Sequence, residues 1–141
     1  MNKRLSAVVY EMAQSVSKLS RAKRLQVGCV IWKDGRAISL GYNGTPSGWD
    51  NACEDENNVT KPEVLHAETN AIAKLARSTE SGQGALLYTT HAPCLECSKL
   101  IYQAGISEVY WGNDYRDKSG LEFLHKAGVK ISQVGEIDAE T

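Results

Sequence analysis

His66-Ala67-Glu68 and Pro93-Cys94-Leu95-Glu96-Cys97 are the residues of this chain best suited to chemistry. One imidazole and two thiolates are a zinc donor set, and three protein ligands with an open fourth position distinguish a catalytic zinc from a closed structural one. Glu68 stands two residues from the candidate ligand His66, close enough to serve a water held at the metal as proton carrier. A zinc at such a site polarises water near neutral pH. The backbone N–H of Ala67 and its neighbours is placed to hold a ring carbonyl. Other readings remain open on the spacing alone. Cys94-x-x-Cys97 by itself fits a redox dithiol, although that motif does not require the His-Ala-Glu segment. A closed structural zinc would need a fourth ligand, for which Cys53, His91 or His125 are available. Without metal, Glu68 would be an acid favoured by a helix N-terminus.

The surrounding pattern says which elements must carry these groups. Leu5, Val8, Val9, Met12, Val16 and Leu19 recur at helical spacing, which predicts an amphipathic helix over 4–19. A β-rich run over 26–32, the turn Lys33-Asp34-Gly35 and a returning strand over 36–42 form a hairpin. Residues 43–61 are a long loop rich in Gly, Pro, Asn and Asp, a length that points to function. Helices are expected over 66–77, from Cys94 to about Gln103 and over 119–126, with strands over 85–90, 106–111 and 129–134. Pro93 suits the opening of a helix, where its missing N–H is no loss. The order is α-β-β-α-β-α-β-α-β. Both ligand-bearing segments then begin helices, whose N–H groups and dipoles favour thiolates.

The 141 residues read as one domain over 1–141, with no internal repeat or low-complexity segment. A 42% apolar and 23% charged composition is that of an ordinary globular protein. The net charge of -1 argues against a polymeric nucleic acid as partner and for a small anionic ligand. No stretch reaches membrane-spanning length and no signal-peptide h-region follows the basic start. With no disulfide framework in the four cysteines, a reducing cytoplasm is the expected compartment.

Further segments give the pattern a family. Gln26-Val27-Gly28-Cys29-Val30, Gly41-Tyr42-Asn43-Gly44-Thr45-Pro46-Ser47-Gly48 and Thr90-His91-Ala92-Pro93-Cys94 resemble the deoxycytidylate (dCMP) deaminases, including those of bacteriophages. The likeness runs from about Ala7 to about Gly128. It implies a cytidine-deaminase-like three-layer α/β/α sandwich with a five-stranded mixed sheet. It implies hydrolysis of dCMP to dUMP and ammonia, which supplies dUMP for thymidylate synthesis. One Zn2+ per chain would sit on His66, Cys94 and Cys97, with Glu68 catalytic. Asn43 is similar to the asparagine that holds the sugar 3′-hydroxyl; as a bare sequence it also reads as a turn residue of Asn-Gly. The 5′-phosphate requires donors, and Arg21, Lys23, Arg24, Tyr115 and Arg116 are the candidates, each of which would otherwise be a surface group.

The resemblance also implies regulation. Tyr42, Gly44, Thr45, Gly48, Trp49 and Asp50 are similar to an effector loop where dCTP with Mg2+ activates and dTTP inhibits, in an oligomer that is usually a homohexamer. Some relatives carry a second zinc on extra His and Cys ahead of the His-Ala-Glu; here only Cys53 is available, so no second zinc is expected. Cys29 reads as a small core residue. The rival readings are a deaminase of a free base or nucleoside, which would not need the basic residues, and a nucleotide-binding regulatory module, which would not need Glu68.

Overall fold

The computed structural model describes residues 2–135. The first helix, α1 (Lys3–Ser17), starts where the Asn2 side chain accepts the Leu5 N–H at 2.8 Å, an N-cap that satisfies one of the orphan donors of the first turn. It is followed by β1 (Gly28–Lys33), β2 (Arg36–Tyr42), α2 (Ala67–Ala76), β3 (Leu86–His91), α3 (Leu95–Gln103), β4 (Glu108–Asn113), α4 (Ser119–Lys126) and β5 (Lys130–Gln133). That is the order expected from the sequence. Asp34 and Gly35 both take positive φ in the β1–β2 turn, the backbone a tight primed hairpin turn demands.

One boundary moves. The first strand begins at Gly28 rather than Gln26. Gln26 instead donates through Nε2 to the Ser20 carbonyl at 2.8 Å, and the Val27 N–H goes to Asn43 Oδ1 at 2.8 Å. These two residues close the loop that follows α1.

The sheet order is β2-β1-β3-β4-β5. The β1–β2 and β1–β3 pairs are antiparallel, while β3–β4 and β4–β5 are parallel. Alternation along the strands separates two cores. Val30, Tyr88 and Tyr110 lie in register on one face and bury Val9, Ala13 and Val16 of α1. Ile31, Leu87 and Val109 lie in register on the other and pack with Ala71 and Leu75 of α2, Ile101 of α3 and Leu124 of α4. The result is a three-layer α/β/α sandwich around a mixed five-stranded sheet. No helix among the described residues is long and apolar enough to cross a membrane.

The helix that bears Glu68 is clipped to the edge strand. Ser39 Oγ donates to the Ala71 carbonyl at 2.7 Å, Asn70 Nδ2 to the Tyr42 carbonyl at 2.9 Å, and Lys74 Nζ to the Leu40 carbonyl at 2.8 Å. Between these clips sits Gly41, where a Cβ would overlap Ala67 O and Ala71 N. The glycine therefore sets how closely α2 lies on β2. Gly41→Ala should destabilise the protein by ~1–3 kcal/mol, the usual cost of overpacking, and lower Tm by several degrees. Gly44→Ala, whose Cβ would meet only the Tyr42 ring at 3.8 Å, should stay within ~0.5 kcal/mol. Thermal melting of the two variants beside wild type is the check.

Candidate active site

Two helix starts build the centre. His66 is the N-cap of α2 with extended backbone, and its side chain makes no capping bond. Cys94 is the N-cap of α3, and Cys97 follows in the first turn with its N–H 3.5 Å from Cys94 Sγ. The uncapped imidazole is thereby free to turn toward the sulfurs. Its Nδ1 lies 3.2 Å from Cys97 Sγ and 3.5 Å from Cys94 Sγ, and the three ligand atoms are within 4.8 Å of one another. Among the described residues this is the only such cluster; Cys53, His91 and His125 are outside it. Gly120, in the first turn of α4, lets that helix back directly onto Pro93 O and Cys94, where a side chain would collide.

The donor set fits zinc on chemical grounds. One nitrogen and two sulfurs match a borderline-soft cation. Without a metal the thiols share one charge: hydrogen bonds from Cys97 and then His66 pull Cys94 down to about 4, while the same sharing and burial push Cys97 up. The hydrogen bond to Cys94 raises His66. A cation replaces that proton sharing and accommodates both thiolates.

Glu68 lies beside this cluster in the first turn of α2 and is only 4% exposed. Burial raises its pKa, and a 2.7 Å hydrogen bond donated by Thr89 Oγ1 to its Oε1 partly offsets that. Thr89 is on β3, and its hydroxyl also lies 3.0 Å from the His91 carbonyl. The carboxylate is thus oriented from the sheet and kept out of water except where it meets a cavity of about 450 Å³. That cavity is lined by His66, Ala67, Glu68 and Cys94 together with Arg24, Asn43, Tyr115 and Arg116. It opens where β3 and β4 end, the usual place for a ligand at the carboxyl ends of parallel strands.

The basic residues named from the sequence are not all brought together. Arg24 and Arg116 line the cavity with Tyr115, but Arg21 and Lys23 do not. Arg21 belongs instead to a second hollow of about 550 Å³, with Tyr42, Gly44, Thr45, Gly48, Asn70 and Lys74. The reason is how the loop after α1 is pinned. Glu54 Oε2 accepts the N–H groups of Lys23 at 3.0 Å and Arg24 at 3.2 Å. Ala22 and Arg24 face the first cavity, and Arg21 faces the other. Trp49 and Asp50 line neither hollow: Trp49 is 59% exposed, and Asp50 Oδ1 accepts the Ala52 N–H at 2.8 Å. Asn43 is a buckle, with Oδ1 on the Val27 N–H and Nδ2 on the Leu25 carbonyl, both at 2.8 Å.

Glu54 and Thr89 do not stand out in the sequence, and Thr90 does so only as part of the Thr90–Cys94 family segment. Two adjacent hydroxyls directly before a histidine and a Pro-Cys are a signal that could have found the threonines. Glu54 gave none, since its partners are backbone groups about 30 positions away.

The family model for the cytidine and deoxycytidylate deaminase zinc-binding region matches residues 3–113. ComE operon protein 2 of Bacillus subtilis is 39% identical over 142 residues, which cover 96% of this chain and 74% of that protein. The deoxycytidylate deaminase of enterobacteria phage T4 is 31% identical over 172 residues, 92% of this chain and 89% of that one. Among solved structures, the dCMP deaminase of cyanophage S-TIM5 in complex with dCMP and dUMP superposes with a TM-score of 0.92 at 42% identity, covering 94% of this chain and 98% of the other. The mixed five-stranded sheet and its four helices are the cytidine-deaminase-like fold of that neighbour.

Purified Cys94→Ala and Cys97→Ala should each lose bound zinc, whereas Cys53→Ala should keep the wild-type content. Elemental analysis of the three variants decides it; loss of zinc from Cys53→Ala would bring that thiol into the metal site.

Proposed function

This chain belongs to the cytidine and deoxycytidylate deaminase family, and we propose that its own reaction is the hydrolysis of dCMP to dUMP and ammonia. One arrangement carries the reading: a buried carboxylate, Glu68, shares a cavity with the His66/Cys94 edge of the metal cluster and with two arginines suited to a phosphate. The match to a dCMP deaminase in complex with its nucleotides supports it.

Zinc held by His66, Cys94 and Cys97, one per chain, would supply Lewis acidity toward a water at the cavity floor. Glu68 accepts a proton from the attacking water at a carboxylate oxygen and returns it to the ring nitrogen beside the amino-bearing carbon. It then carries the second water proton to the departing amine, so that water and dCMP give dUMP and ammonia. Burial raises Glu68 toward the operating pH, which favours transfer in both directions. Thr89 holds Oε1 and fixes the direction of the carboxylate. The Ala67 N–H, at the start of α2, is the donor for the ring carbonyl. Asn43 Oδ1 retains a second lone pair for the sugar 3′-hydroxyl while its first stays on Val27. Arg24, Tyr115 and Arg116 are the phosphate donors.

The second hollow is the effector site in this reading. Arg21 and Lys74 border the Gly44–Gly48 segment there, a cationic pair beside backbone N–H groups suited to the phosphates of dCTP with Mg2+ or of dTTP. The two hollows have Cys53 as a common wall residue, so an effector that orders this loop acts on the substrate cavity directly. A homohexamer in the cytoplasm, supplying dUMP for thymidylate synthesis, completes the proposal.

Ammonia release from dCMP, with deoxycytidine as control, tests the reaction. Glu68→Gln should keep zinc and lose turnover by ~10²–10⁴-fold. Arg116→Ala should cost ~1.5–3 kcal/mol on dCMP and far less on deoxycytidine. Near wild-type kcat in Glu68→Gln would eliminate the mechanism.

Regulation has its own readout. Initial rates against dCMP should be sigmoidal, become hyperbolic with dCTP and Mg2+, and be depressed by dTTP. Reciprocity requires dCMP to tighten dCTP binding by the factor that dCTP tightens dCMP. Hyperbolic rates unmoved by either triphosphate would leave an unregulated deaminase.

A further inference from the structure

His91 ends β3 and lines the substrate cavity, yet it is no part of the metal cluster. Its neighbours settle which ring nitrogen carries the proton. Thr90 Oγ1 has two partners, the Gly28 N–H at 3.1 Å and His91 Nδ1 at 2.8 Å. The peptide N–H can only donate. Thr90 is 4% exposed, so its own hydroxyl proton must find an acceptor inside the protein, and Nδ1 is the one within reach. Nδ1 is therefore the unprotonated nitrogen, and Nε2 carries the hydrogen. Burial lowers the His91 pKa, in keeping with a neutral ring. Thr90 itself does not line the cavity; the Nδ1 edge is turned to the strand, and Nε2–H is the polar atom left for a ligand.

The register of the sheet says which part of the ligand it meets. His91 pairs with Asn113 across β3 and β4. Asn113 Nδ2 donates to the Thr90 carbonyl at 2.9 Å, and the Asn113 carbonyl accepts the Ala92 N–H at 2.9 Å. The backbone on either side of His91 is thus laced to the strand end that precedes Tyr115 and Arg116, which line the same cavity. We propose that His91 is a substrate-contacting residue whose Nε2–H donates to an oxygen of the nucleotide 5′-phosphate. Arg24 and Arg116 supply charge on long side chains with many rotamers. His91 supplies one direction, fixed through Gly28, Thr90 and the sheet. The inference rests on the nucleotide-monophosphate reading above, and it makes the end of β3 a specificity determinant for a phosphorylated substrate.

The test separates the two ring nitrogens. Glutamine carries its amide nitrogen at about the reach of Nε2, and asparagine carries it at about the reach of Nδ1. On a Glu68→Gln background, which binds without turnover, Kd for dCMP and for deoxycytidine is measured by calorimetry for His91, His91→Gln and His91→Asn. Zinc content and thermal melting are the checks on folding. His91→Asn should weaken dCMP about tenfold or more and His91→Gln by less than about threefold, the scale of one hydrogen bond to a charged acceptor. Deoxycytidine should be unmoved by either. Equal effects of the two amides, or deoxycytidine weakened as much as dCMP, would overturn the phosphate contact. Binding is read here without chemistry. A wild-type protein that releases no ammonia from dCMP would overturn the reaction assignment, while the Kd ratios still decide for or against His91.

Discussion

The structure depends on the N-termini of α2 and α3 meeting at one point. Two helices that present unsatisfied N–H groups to the same small volume create a region of positive potential, and a pair of thiolates is the complementary charge. This convergence is costly to hold without support, so much of the fold buttresses it. The Ser39, Asn70 and Lys74 clips and the bare backbone of Gly41 keep α2 at a fixed height on β2. Gly120 lets α4 press against the Pro93-Cys94 turn. Two glycines and three hydrogen bonds thus act as distance constraints on the metal cluster without supplying any of its ligand atoms.

Element order was legible because its signals are local: helical spacing in the first segment, the Asp-Gly turn, and proline at a helix start. The chemical core was legible for a related reason. His66, Glu68, Cys94 and Cys97 sit in first turns or caps, so sequence spacing maps almost directly onto spatial proximity. The segment over 18–27 was not legible. Gln26 and Val27 have strand composition, but their hydrogen bonds go to Ser20 and Asn43, and no local preference foretells that. The same holds for Arg21 and Arg24. Both are arginines in one short loop, and the long-range bonds that pin it, among them those to the Glu54 carboxylate and the Asn43 carbonyl, accompany their facing different hollows.

The adjacent threonines of β3 show how a strand can serve two site groups at once. Side chains of successive residues point to opposite faces, so Thr89 reaches the Glu68 carboxylate under α2, while Thr90, on the α1 side, takes the Gly28 N–H and turns back to His91. Neither hydroxyl is left without a partner, as buried polar groups require. The orientation of both cavity groups is therefore inherited from the sheet rather than from the loops that frame the opening.

Asn43 has a further consequence. It precedes Gly44, and an Asn-Gly pair in a flexible chain is prone to succinimide formation, in which the glycine amide nitrogen attacks the side-chain carbonyl carbon. Here both reactants are restrained. The Gly44 N–H is held by the Leu65 carbonyl at 3.1 Å, and the Asn43 amide is anchored at both ends. The hydrogen bonds that shape the cavity also shield a chemically labile peptide. Each excursion that frees the 43–44 segment then opens a route to covalent ageing, which makes the working life of this protein a matter of how seldom that one buckle comes undone.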